Sequence, residues 1–156
     1  MGNQIELYKQ QAEEGIQAIH NMLIENGGDL QENLDKMPLR HSFTDGIYVR
    51  ELTIPEGTML VGKIHKHRHH NMLLKGDIIV ATSEGNVEML QAPLMIVSEP
   101  GTQRVGYAVT ECVWSCIHKN EDNIEDLDKL EQINVVSSKQ EYLEYKKEQD
   151  KLISKT

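Results

Sequence analysis

The chain has 156 residues, enough for one domain of ~100–200 residues and too few for a multidomain machine. Hydrophobic residues make up 38% of it with only 1 Trp and 1 Phe, so aliphatic side chains must fill a modest core, and disorder throughout is excluded. Its 25 acidic residues outweigh 16 basic ones, and the formal charge of -9 repels phosphate backbones, so no nucleic-acid polymer is expected as a partner.

From Ile5 to Ile24 the apolar residues Ile5, Tyr8, Ala12, Ile16, Ile19, Met22 and Leu23 recur at helical spacing and predict an amphipathic helix closed by Asn26-Gly27-Gly28. A further helical turn is expected over 29–37, before Pro38. The texture then changes to short runs of β-branched and aliphatic residues punctuated by Asp45-Gly46, Pro55-Glu56-Gly57, Lys75-Gly76-Asp77, Ser83-Glu84-Gly85-Asn86 and Glu99-Pro100-Gly101. Strands are expected near 47–54, 58–66, 71–75, 77–82, 87–91, 94–98, 103–109 and 112–118. Connections this short leave no room for crossover helices, so the sheet must be antiparallel, and eight short strands suit a jelly-roll barrel. An acidic helix is expected over 120–131 on Ile124, Leu127 and Leu130. A last helix over 139–153 has Ser137 or Ser138 as its N-cap, Glu141 completing a capping box, and Tyr142, Leu143, Tyr145 and Leu152 as its buried contacts.

The expected organisation is a helical segment 1–38, a barrel 39–118 and a helical tail 119–156. Amphipathic helices outside so small a barrel bury their stripes on it or on a second copy, so a homo-oligomer is expected. No apolar run approaches the ~20 residues of a membrane span, and nothing near Met1 reads as a signal peptide. With Cys112 and Cys116 too few for a disulfide framework, the expected location is the cytoplasm, with no membrane partner.

Four of the seven histidines fall within His65-Lys66-His67-Arg68-His69-His70. On a strand, residues two apart share a face, so His65 and His67 project together at ~6–7 Å, within reach of one ion. His69 lies ~13 Å from His65 along an ideal strand and joins the pair only if the chain turns after His67. Whether His69 or His70 faces inward depends on a one-residue register. Two readings stand: a solvated cationic strand end, or a metal site, because buried imidazoles without partners cost ~1–3 kcal/mol each.

On the last barrel strand Cys112, Trp114, Cys116 and His118 share one face. If that face looks into the barrel, His118 stands opposite the other histidines, while both cysteines read as small core residues. Their α-carbons would be ~13 Å apart, beyond the reach of a disulfide. Tyr107 and Trp114 are candidates for stacking on a ligand or for the core. No Ser-His-Asp order and no glycine-rich phosphate loop is present, so no catalytic residue is assigned.

The segment Gly57, Leu60-Val61-Gly62, His65-Lys66-His67 and Leu74-Lys75-Gly76-Asp77 resembles the first motif of the cupin superfamily, in which an H-x-H pair and a Glu bind a metal inside a small jelly-roll barrel. Here the Glu position falls at His69 or His70. Pro100-Gly101-Thr102-Gln103-Arg104 resembles the second motif with its histidine replaced by Arg104, a guanidinium that pairs with anions and does not bind cations. The segments H-K-H-x-x-H-N, S-E-P-G-T and V-G-Y-A are also similar to uncharacterised cupin-like proteins of tailed bacteriophages, and the host cytoplasm is then the implied location.

The expectation is therefore a mainly β, cupin-like jelly roll whose pocket uses Arg104, Tyr107 and Trp114 toward a ligand and His65, His67, His69 and His118 toward one divalent transition metal (Fe, Mn, Ni or Zn). The expected function is non-catalytic binding, and with it sequestration, of a small anionic, nucleotide-like metabolite. A metal-dependent oxygenase- or isomerase-type enzyme and a structural phage component stand as alternatives.

Overall fold

The computed structural model describes residues 2–4, 6, 37–82 and 86–155. The helices expected over 5–24 and 29–37 fall outside the described residues, Met37 and a few N-terminal positions aside. In chain order the elements are β1 (Leu39–Thr44), β2 (Gly46–Ile54), β3 (Met59–Val61), β4 (Ile64–His65), β5 (His69–Lys75), β6 (Asp77–Thr82), β7 (Val87–Gln91), β8 (Leu94–Ser98), β9 (Arg104–Ala108), β10 (Cys112–Asn120), α1 (Leu127–Asn134), β11 (Val135–Val136) and α2 (Lys139–Ser154).

Two antiparallel sheets carry the fold, one ordered β1-β2-β10-β5-β8 and the other β3-β9-β6-β7, with β11 and β4 forming a small third pair. The chain passes repeatedly from one large sheet to the other, which is the jelly-roll arrangement expected from the strand spacing. Alternation places Leu52 and Ile54 of β2, Leu73 of β5, Ile78 and Val80 of β6, Ala108 of β9 and Cys112 of β10 in one buried cluster. That cluster closes one end of the space between the sheets; the other end is left for polar side chains. Gly76 makes the turn from β5 to β6 possible, because its φ of +86° suits glycine and a Cβ there would overlap the carbonyl oxygen of Glu111.

Several expectations are corrected. Strand β1 was not expected, because Arg40, Ser42 and Thr44 dilute the apolar signal; it is the first arm of a hairpin with β2, its register running from Leu39 opposite Leu52 to Thr44 opposite Ile47. The run 58–66 is interrupted after Val61, where Gly62 donates its N–H to the Arg104 carbonyl (2.8 Å) and accepts from the Gln103 side chain (3.0 Å). The acidic helix begins at Leu127 and not at 120, since the Asn120 side chain accepts from Ile124 N–H (3.0 Å) and donates to its carbonyl (2.9 Å), holding a turn there. Asp126 is the N-cap of α1, accepting from the N–H groups of Asp128 and Lys129.

Ser138 caps α2, accepting from Glu141 N–H (3.2 Å), while the Glu141 carboxylate reaches one residue further back than in a capping box and accepts from Ser137 N–H (3.0 Å). Its apolar residues do not form a buried stripe: Leu143 is 47% and Leu152 59% exposed, and Tyr142 and Tyr145 are half-buried. The helix meets the barrel through those two tyrosines, Tyr142 lying against Gly101 and Tyr145 beneath Lys66 (4.8 Å from Nζ to the ring centre).

Candidate functional site

The histidine segment does not continue as a strand. β4 ends at His65, residues 66–68 turn, and β5 begins at His69. The turn is pinned from outside by the end of α1: Lys66 N–H donates to the Asn134 carbonyl (2.8 Å), Lys66 Nζ to the Gln132 carbonyl (2.6 Å), and His67 Nε2 to the Ile133 carbonyl (3.1 Å). Val135 then pairs with His65 in the β11–β4 ladder. His65 is thereby fixed facing inward, His67 is drawn outward, and the chain folds back so that the rings of His65 and His69 lie 4.1 Å apart.

Strand β10 completes the group. Its register sets Cys116 between Arg50 of β2 and Asn71 of β5, and His118 opposite Tyr48. The His118 ring stacks against His69 (4.9 Å) and His65 (5.3 Å), and on its other side against Tyr48 (5.8 Å). Tyr48 in turn hydrogen-bonds His41 Nδ1 at 2.8 Å. The donor atoms of His65, His69 and Cys116 all lie within 4.8 Å of one another. On the facing sheet Arg104 reaches Ser98 Oγ, which also accepts from the Asn71 amide.

Burial keeps the imidazoles neutral. Loss of water, followed by the neighbouring His69 and His118 and the two arginines, holds His65 at about 2 against an ordinary 6.5. His118 is held at about 3 by burial and by His69, Arg50 and His67, and burial also lowers His69. The same desolvation raises the Cys116 thiol and lowers the Arg104 guanidinium from its ordinary value. His69 Nδ1 faces the His67 carbonyl oxygen at 3.2 Å and must donate to it, so its Nε2 carries a lone pair. That Nε2 is buried, and the Asn71 side chain near the ring, which pulls its titration upward, does not reach hydrogen-bond geometry with it.

These side chains line a cavity of about 340 Å³ between the sheets. Its floor is apolar, formed by Leu52, Ile54, Ile78, Val80 and Trp114; its mouth is bordered by Leu127, Leu130 and Glu131 of α1. Of the sequence-expected site residues, His65, His69, His118, Arg104 and Trp114 come together here. His67 and Tyr107 do not. His67 is held by Ile133, and Tyr107 lies on the face of β9 opposite to Arg104, 40% exposed. The register places His69 inward and His70 outward.

Arg50, His41, Tyr48, Asn71 and Cys116 join the site without having been expected in it. Arg50 and Tyr48 had a legible signal, as they alternate with Leu52 and Ile54 along β2. Cys116 shares a face of β10 with His118 and, beyond the core role expected of it, lines the cavity beside His65 and His69.

No protein-family profile and no curated protein matches the sequence. Among solved structures the chain is similar to a cupin-2 domain protein from Shewanella frigidimarina, at 15% identity over 53% of this chain and 80% of that one, TM-score 0.44. It is also similar to an RmlC-like cupin with a double-stranded β-helix fold from Methanocaldococcus jannaschii, at 8% identity over 55% and 82%, TM-score 0.47. A third is ectoine synthase from P. lautus, at 14% identity over 56% and 72%, TM-score 0.47. Each likeness spans little more than half of this chain and is one of fold. Among the described residues no helix is long and apolar enough to cross a membrane.

Proposed function

We propose that the barrel cavity binds a small anionic organic molecule, with Arg50 and Arg104 as its counter-charges and the apolar floor receiving its carbon skeleton. The observation that carries this is Arg50: it lines the cavity, and among the described residues no side-chain hydrogen bond or salt bridge to its guanidinium is found. A guanidinium lining a pocket offers its fork of donors to an acceptor, and a carboxylate or phosphate matches its planar geometry. Glu131 is the one carboxylate among the described lining residues, and it is paired at the mouth with Lys63. The volume suits a ligand at the lower end of the usual ~300–1,000 Å³ range, which admits a small acid or a compact nucleotide-like metabolite.

Native mass spectrometry of the untagged protein as purified tests this first, reporting any retained organic mass, any metal and the expected self-association in one spectrum. Thermal shifts with succinate, inorganic phosphate and AMP then compare wild type with Arg50→Ala and Arg104→Ala. Stabilisation of wild type by at least one anion, lost in both variants, supports the reading; stabilisation by none, with no retained mass, sinks it. A metal-dependent reaction in the same cavity is the second reading, favoured by the unpartnered Nε2 of His69.

A further inference from the structure

The geometry points to a thiolate-containing metal centre in which His65, His69 and Cys116 hold one zinc- or copper-class ion, a donor set that differs from the four histidines expected from the sequence. The inference deepens the second reading above and rests on it only for the presence of an ion.

Three independent features converge. The donor atoms of His65, His69 and Cys116 form a triangle no wider than 4.8 Å, which small side-chain rotations close onto the ~2.0–2.3 Å bonds of a tetrahedral ion. His69 is 6% exposed, and its Nε2 is buried without a partner in hydrogen-bond geometry, an arrangement that is unfavourable unless something occupies the lone pair. The other nitrogen of the same ring donates to the His67 carbonyl, which fixes the tautomer and aims Nε2 inward, as the outer partners of metal-bound histidines do.

The third donor decides the class of ion. Cys116 is 8% exposed, is not in a disulfide, and sits directly between its register partners Arg50 and Asn71 on the inner face of β10. Sulfur with two imidazoles and no carboxylate favours zinc and copper over manganese and magnesium, which prefer oxygen ligands. Two positive side chains, Arg50 and Arg104, also line the wall, so the negative charge of a bound thiolate offsets part of the ion's repulsion from them. Three protein donors leave a tetrahedral ion one open position toward the cavity, where an anionic ligand or water completes the sphere.

The test is a Co²⁺ titration of the full chain after chelator treatment and reduction, followed by absorption in the near-ultraviolet and visible. The expected result is one Co²⁺ per chain with both visible bands of a tetrahedral centre and a sulfur-to-cobalt charge-transfer band, displaced by Zn²⁺ and not by about hundredfold excess Mn²⁺. Cys116→Ser removes the sulfur band, and His69→Ala weakens binding more than about tenfold. Tetrahedral bands without the sulfur band in wild type leave a metal site but overturn the role of Cys116. Absence of any stoichiometric binding overturns both. The wild-type spectrum decides even if Cys116→Ser fails to fold, and the anion-binding assay stands apart from every arm.

Discussion

His69 Nδ1 lies 3.2 Å from the carbonyl oxygen of His67, so the residue that leaves the cavity orients the one that enters it. The link runs through the main chain of His67, whereas its imidazole is spent outside on the Ile133 carbonyl. Replacing His67 by Ala should therefore leave Co²⁺ affinity within about threefold of wild type, because the carbonyl that orients His69 remains and the lost imidazole bond lies outside the cavity. Replacing His69 by Ala should weaken affinity by more than about tenfold. Side-by-side metal titrations check this, and equal losses in the two variants would return His67 to the site.

Acid should destabilise the metal-free protein through the same ring stack. His65 and His118 have folded-state values of about 2 and about 3, both below the 6.5 of an unfolded chain. Between those limits the unfolded state binds protons that the folded state refuses. The contribution is thus fully present above about pH 6.5 and is lost progressively as the pH falls toward 3. Arg50 and Arg104 face the stack and oppose its protonation further. Urea midpoints at pH 7.5, 6.5, 5.5 and 4.5 should fall monotonically below 6.5 in wild type. The slope should flatten in His118→Phe, which removes one titrating ring and keeps the stack.

The extent to which the sequence disclosed this site depends on how local each cause is. Turn residues and alternation are local, so the barrel strands from β5 to β10 and the cap of α2 at Ser138 were readable. The facing of His67 is not local: it depends on carbonyls of Gln132, Ile133 and Asn134, some 66 residues away along the chain. A strand period applied to 65–67 gave the wrong partner for His65 because nothing nearby signals that turn. Cys116 was hidden for a different reason, since a small buried thiol in a core and one aimed at a cavity have the same pattern along β10. Arg104 was legible as a pocket residue without a metal role because guanidinium chemistry excludes cation binding whatever the fold.

Gly76 offers a stability test of the β5–β6 turn. Its φ of +86° and the approach of the Glu111 carbonyl leave no room for a Cβ. Gly76→Ala should cost at least the ~1–3 kcal/mol of a strained backbone position. The substitution would also press on Cys112 Sγ, 2.9 Å from the added carbon, so the core end of the barrel loosens with it. A denaturant midpoint close to wild type would mean that the turn relaxes freely.

Leu130 connects stability to access. It is 2% exposed, lies on α1 and borders the mouth of the cavity, where the helix is tied to the barrel through Lys63–Glu131 and the Lys66 contacts. Truncating it to Ala should cost about 2–5 kcal/mol as a large-to-small change at a buried site. Because the lost contacts hold α1 over the mouth, the same change should speed exchange between cavity and solvent beyond what global unfolding explains. Lys63→Ala, which removes the half-exposed ion pair with Glu131, should cost no more than ~1 kcal/mol. Metal extraction by excess chelator measures the exchange, and amide hydrogen exchange along 127–134 measures the opening. Leu130→Ala should accelerate both, and Lys63→Ala should change them little. If extraction keeps its wild-type rate while the helix amides exchange faster, the ligand path does not pass beneath α1 and must run instead between the two large sheets.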